Sequence, residues 1–152
     1  MSTIGRVYTV PLAIAPTTDS DQDIFELVNG STKLCVLHGF SLTTAITTAA
    51  IINLRLLRRS TTGSGGSAAT EYALDEGNTI AASAALSTLV TTPGTAGNIL
   101  KTWNWSQVGE LLYMPTPEMR VTVSPSGRLA LHLNTALAGT GDWEGYVVWE
   151  EI

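Results

Sequence analysis

Charge is scarce in this chain, and so are the residues that most often carry out chemistry. Only 14% of its 152 residues are charged, below the quarter or so usual for soluble domains. Eight are basic against thirteen acidic, giving a net charge of −5. A protein that holds nucleic acid needs a basic footprint to displace counterions from phosphate, so that class is set aside. The single cysteine, Cys35, excludes an internal disulfide framework. It lies among Leu34, Val36 and Leu37, which fits a buried thiol better than a nucleophile. No apolar run approaches the length of a membrane span, so no membrane partner is expected. Residues 1–5 lack the charged start and apolar stretch of a secretory leader, so synthesis in a cytoplasm is expected.

Short β-type runs are plentiful. They cover residues 6–15, 24–28, 33–43, 51–59, 83–92, 98–105, 110–114, 120–124, 128–134 and 145–151, each bounded by Gly, Pro, Asn or Asp. In 33–43, Leu34, Val36, His38, Phe40 and Leu42 alternate and are expected to point inward. Trp103 and Trp105 share a face of their strand. Residues 75–82 could begin a helical turn. Many short strands with regular turn signals and no long helix predict an all-β protein. The expected architecture is an antiparallel β-sandwich, jelly-roll-like, of about 8–10 strands. An immunoglobulin-like sandwich is second, since its cysteine pair is missing. Residues 6–152 read as one domain behind an N-terminal arm, residues 1–5, expected to order on a partner.

No catalytic constellation is visible. His38 is in phase with Val36 and Phe40, and reads as a hydrogen-bonded core residue. His132 is out of phase with Leu131 and Leu133, and reads as facing solvent or a partner. No cue joins either histidine to a nucleophile and an orienting acid. Asp19, Asp21 and Asp23 alternate in an acidic loop. Counted from Asp19, the glycine and glutamate of an EF-hand loop are replaced by Ile24 and Gly30, so no metal is expected. Gly63, Gly65 and Gly66 lack the Lys-Ser or Lys-Thr of a phosphate loop. No cofactor is expected. Arg55, Arg58 and Arg59 read as a solvated rim. Trp103, Trp105, Trp143 and Trp149 divide between core packing, a subunit interface and a sugar platform.

Four segments carry a resemblance. They are Leu56-Leu-Arg-Arg-Ser-Thr-Thr-Gly-Ser-Gly-Gly66, Thr91-Thr-Pro-Gly-Thr-Ala-Gly97, Val108-Gly-Glu-Leu-Leu-Tyr-Met-Pro-Thr-Pro-Glu118 and Gly145-Tyr-Val-Val-Trp-Glu-Glu-Ile152. Together they are similar to small structural virion proteins of tailed bacteriophages, the jelly-roll-like capsid decoration or cement proteins. The resemblance implies a non-enzymatic protein of the capsid surface, often a homotrimer, bound to the major capsid protein. Outward positions expected to serve such interfaces are Leu57, Arg58, Arg59, His132 and Trp149. The loops 60–69 and 91–98 are expected to be mobile and to lie across neighbouring subunits. A tail, fibre or adaptor component and a carbohydrate-binding module are the alternatives.

Overall fold

Period-two alternation becomes strand in a computed structural model of the chain, which describes residues 5–17 and 19–152. The strands are β1 (Arg6–Ile14), β2 (Gln22–Val28), β3 (Cys35–Thr44), β4 (Ile51–Arg59), β5 (Ser67–Ala68), β6 (Tyr72–Ala73), β7 (Ala85–Val90), β8 (Ala96–Ser106), β9 (Leu111–Tyr113), β10 (Val121–Val123), β11 (Arg128–Leu133) and β12 (Trp143–Glu151). The one helical element among the described residues is a short 3-10 turn, Pro117–Met119. The helical turn expected over 75–82 is a bend, in which the Asp75 carboxylate accepts the Gly77 N–H. The arm expected over residues 1–5 lies, apart from Gly5, outside the described residues.

Two antiparallel sheets face each other. One runs β10-β3-β12-β1-β6, with β9 also on β3; the other runs β5-β7-β2-β11-β4-β8. The long pairings nest: β1 with β12, β2 with β11, β3 with β9 and β10, and β4 with β8. First pairs with last and innermost with innermost, as in a hairpin rolled on itself, which is the jelly-roll arrangement. The strands β5, β6 and β7 are inserted between β4 and β8.

The core between the sheets contains Tyr8, Val10, Phe25, Leu37, Phe40, Leu54, Leu131, Trp143 and Trp149. Bulges in β2, β3 and β4 set which residues reach it. In β2, Leu131 pairs with Phe25 but His132 with Asp23, so Ile24 is an extra residue and Asp23 takes the outer face. Val148 pairs with Gly39 but Trp149 pairs with Leu37, so His38 is an extra residue and the phase of β3 flips there. Cys35 and Leu37 therefore point inward before the bulge, and Phe40 and Leu42 after it. This corrects the expectation for Leu34, Val36 and His38, which lie on the other face. Gly39 is required at the bulge, because a side chain there would run into the Tyr113 carbonyl. In β4 the pairing with β8 shifts on either side of Leu57.

Candidate functional site

The outer face of the β2–β11–β4 sheet gathers charges that the sequence scatters. Asp23, Glu26, Arg59 and His132 all stand on this face, and all are buried. Arg59 Nη2 lies 2.5 Å from Asp23 Oδ1, and its Nε is 3.3 Å from Oδ2. His132 Nδ1 is 2.9 Å from the same Oδ1, and Nε2 is 3.4 Å from Asp21 Oδ1 at the surface. The remaining arm of the guanidinium donates to the Gly94 carbonyl at 2.9 Å.

A lid made by the chain itself explains the burial. Residues 60–66 and 91–95 cross this face and hold one another: Ser64 and Thr92 exchange backbone hydrogen bonds, and the Ser60 N–H donates to the Thr95 carbonyl. Arg128 Nε donates to Thr62 Oγ1 at 2.6 Å. The Gly63 N–H points between the two oxygens of Glu26, 3.2 Å from each. Burial pushes the Glu26 carboxyl above its usual value, partly opposed by the Gly63 N–H. The two loops expected to be mobile are thus tied down by Glu26, Arg59 and Arg128.

This lid also corrects several expected interface positions. Leu57 is buried beside Ala130, and His132 and Arg59 belong to the charge cluster. Trp149 is fully buried, with its ring 6.0 Å from that of Tyr8. Its neighbours Tyr146 and Val148 take the outward face instead. Arg58 remains half-exposed and donates to the Thr122 carbonyl at 2.9 Å. Arg55 bonds to Asn53. The arginine rim is therefore solvated only in part.

His38 is not a core residue. It stands half-buried on the outer face of the β1–β12–β3 sheet, 2.9 Å from Glu150. Cys35 is buried, and its thiol is pushed up to about 12, first by burial and then by the nearby Glu151 carboxylate. Neither histidine has a hydroxyl or thiol of a described residue as a hydrogen-bond partner. Among the described residues, no group of three His, Cys, Asp or Glu could hold a metal ion. A cleft of about 620 Å³ lined by Gly5, Arg6, Val7, Leu74, Asp75 and Ile80 contains no histidine or cysteine. No helix among the described residues is long and apolar enough to cross a membrane.

The outer face of the β1–β12–β3 sheet is open to solvent, as are Ile51, Thr102 and Asn104 at the β4–β8 end of the other sheet. One cross-strand row sets Leu112, Ser41, Tyr146 and Pro11 side by side. Leu112 is 56% exposed and Tyr146 38%. A second row sets Thr122, Val36, Glu150 and Val7 together. Charges on or beside these rows include the His38–Glu150 pair, Glu144 and Glu110, whose carboxylate accepts from the Ser41 hydroxyl at 3.3 Å. The other residues of the rows are neutral or apolar. Leu112 and Tyr146 were legible as outward residues, since each alternates with buried neighbours, but so many apolar residues flank them that pattern alone did not single them out. No protein-family model, curated protein or solved structure matches the chain.

Proposed function

We propose that the protein is a structural virion component, a capsid decoration protein that binds between capsid subunits and stabilises the head of a tailed phage. The observation that carries this reading is the contrast between the two outer sheet faces. One is covered over β2, β11 and β4 by the chain's own loops, above a buried charge cluster. The other is open to solvent and carries few charges, with Tyr146 exposed within the cross-strand row and Leu112 exposed at its β9 end. Apolar side chains on a flat sheet face suit burial against another protein surface. A jelly-roll strand order, at home among virion proteins, and the phage resemblance of the four segments favour the same reading.

A decoration protein needs area and shape complementarity repeated at symmetric contacts, not a reacting group. The sugar-binding alternative loses its motive, because Trp105, Trp143 and Trp149 are buried and Trp103 packs edge-on against Phe40 and Tyr113. The major capsid protein is the proposed partner, and the capsid surface the proposed location. Electron microscopy of intact particles tests it: density for this sandwich at junctions between capsid subunits supports the reading. Density confined to the tail, or none on the particle, refutes it.

A further inference from the structure

Each sheet of a sandwich leaves edges whose peptide groups can pair with another chain. Proteins usually blunt such edges with very short strands or guarding charges. Three edges here are blunted by length. The first sheet ends in β6, of two residues, and in the three-residue strands β9 and β10; the second ends at one side in β5, of two residues. The fourth edge is β8, of 11 residues, the longest strand in the protein. It contains no proline and no acid. Its one charge, Lys101, does not guard it, because the ammonium sits 5.9 Å from the centre of the Tyr113 ring, across the sandwich.

The direction of the free peptide groups follows from β4. Asn53 turns both backbone groups away from β8: its N–H donates to Thr135 Oγ1, and its carbonyl accepts from Asn134. Asn53 lies opposite Asn104 and Arg55 opposite Thr102. These are therefore the non-hydrogen-bonded pairs of the ladder, and Thr102 and Asn104 aim their N–H and C=O groups outward. No strand among the described residues receives them.

We propose that this edge pairs with the same strand of a second copy, antiparallel across a two-fold axis, to join two sandwiches through one continuous sheet. An axis through Trp103 sets Thr102 of each copy opposite Asn104 of the other. Both members of each pair present outward peptide groups, so each pair can exchange two hydrogen bonds. The exposed side chains meeting there are the neutral, hydrogen-bonding Thr102 and Asn104. Lys101 falls opposite Trp105, so no like charges are opposed. A two-fold contact of this kind is self-complementary and closes after two copies. The inference goes beyond the virion reading and does not depend on it. It also differs from the trimer that the phage resemblance implies.

Light scattering coupled to size exclusion, with amide hydrogen exchange on the same sample, tests it. The expected result is a two-chain mass, with the Thr102 and Asn104 amides exchanging at least about tenfold more slowly than exposed amides. Asn104→Pro removes an N–H that faces away from β4, together with the exposed Oδ1 that accepts from Asn53 Nδ2, and leaves the backbone ladder to β4 intact. It should therefore give a one-chain mass with unchanged circular dichroism. Should that variant fail to fold, the double change Thr102→Lys and Asn104→Lys reads the same edge. A one-chain or three-chain mass for the unaltered protein overturns the proposal. So does a two-chain mass in which the Thr102 and Asn104 amides exchange as fast as exposed ones.

Discussion

Arg59 and Asp23 form an ion pair that is sealed from solvent: the side chains are 4% and 0% exposed, with Nη2 2.5 Å from Oδ1. The pair joins β4 to β2 across β11, and the lid closes over it. Replacing Arg59 by Ala strands an ionised carboxylate with only His132 beside it. The expected cost is about 3–5 kcal/mol. The double change Arg59→Met with Asp23→Leu, which removes both charges, should cost much less. Urea unfolding of Arg59→Met, Asp23→Leu and the double measures the coupling; additive losses would contradict a paired role.

Glu26 is the lid's weak point and also its anchor. Its carboxyl is held above the usual 4.5, so the folded chain binds that proton more tightly than the unfolded chain. The resulting stabilisation is present below 4.5 and is lost as the pH rises through the folded-state value. Once ionised, the group therefore costs stability. Glu26→Gln keeps an acceptor for the Gly63 N–H and removes the charge. It should raise stability at neutral pH and flatten the acid side of the stability profile. A variant less stable at pH 7 would show that the charge itself secures the lid.

Glu151 holds the segment before β7 from the far end of β12. Its oxygens accept the Ser83 and Ala84 N–H groups at 2.8–3.0 Å and the Ser83 hydroxyl at 3.0 Å. Glu151→Ala leaves these donors without their partner and should cost about 2–3 kcal/mol. Thermal melts check the size of the loss, and a change within about 0.5 kcal/mol would mean that water replaces the carboxylate.

Cys35 should be inert in the folded protein. With the thiol buried and pushed up to about 12, almost no thiolate exists at neutral pH. Alkylation by iodoacetamide should proceed only at the rate of unfolding and accelerate sharply in denaturant. Rapid labelling of native protein would place the thiol at a solvent-exposed site.

The strands were legible because alternation and turn residues are local signals. Which face a residue takes was legible only where pairing is regular. The extra residue at His38 reverses the face of everything before it in β3, and nothing in the run 33–43 announces a bulge except Gly39. Leu57, Arg59 and His132 were assigned to the correct sheet face. They are nevertheless buried, because the Gly/Ser/Thr segment that follows β4 folds back, together with residues 91–95, to cover them. That cover depends on Glu26, Arg59 and Arg128 meeting loop atoms more than thirty residues away in sequence, which no periodicity encodes. Trp149 was misplaced for a different reason: both faces of β12 carry apolar residues, so alternation could not say which one is inside.

On the proposed reading, the protein reinforces a shell it does not build. Binding across a junction favours only the closed junction, by about 2.7 kcal/mol per site at a hundredfold excess over Kd. The direct measurement is the temperature at which packaged DNA escapes from phage particles made with and without this protein, then again after adding back wild-type protein or Tyr146→Asp. Particles lacking it should assemble, release DNA at a lower temperature, and be restored by wild type but not by Tyr146→Asp. Particles that never form, or that are as heat-resistant as complete ones, would contradict the account.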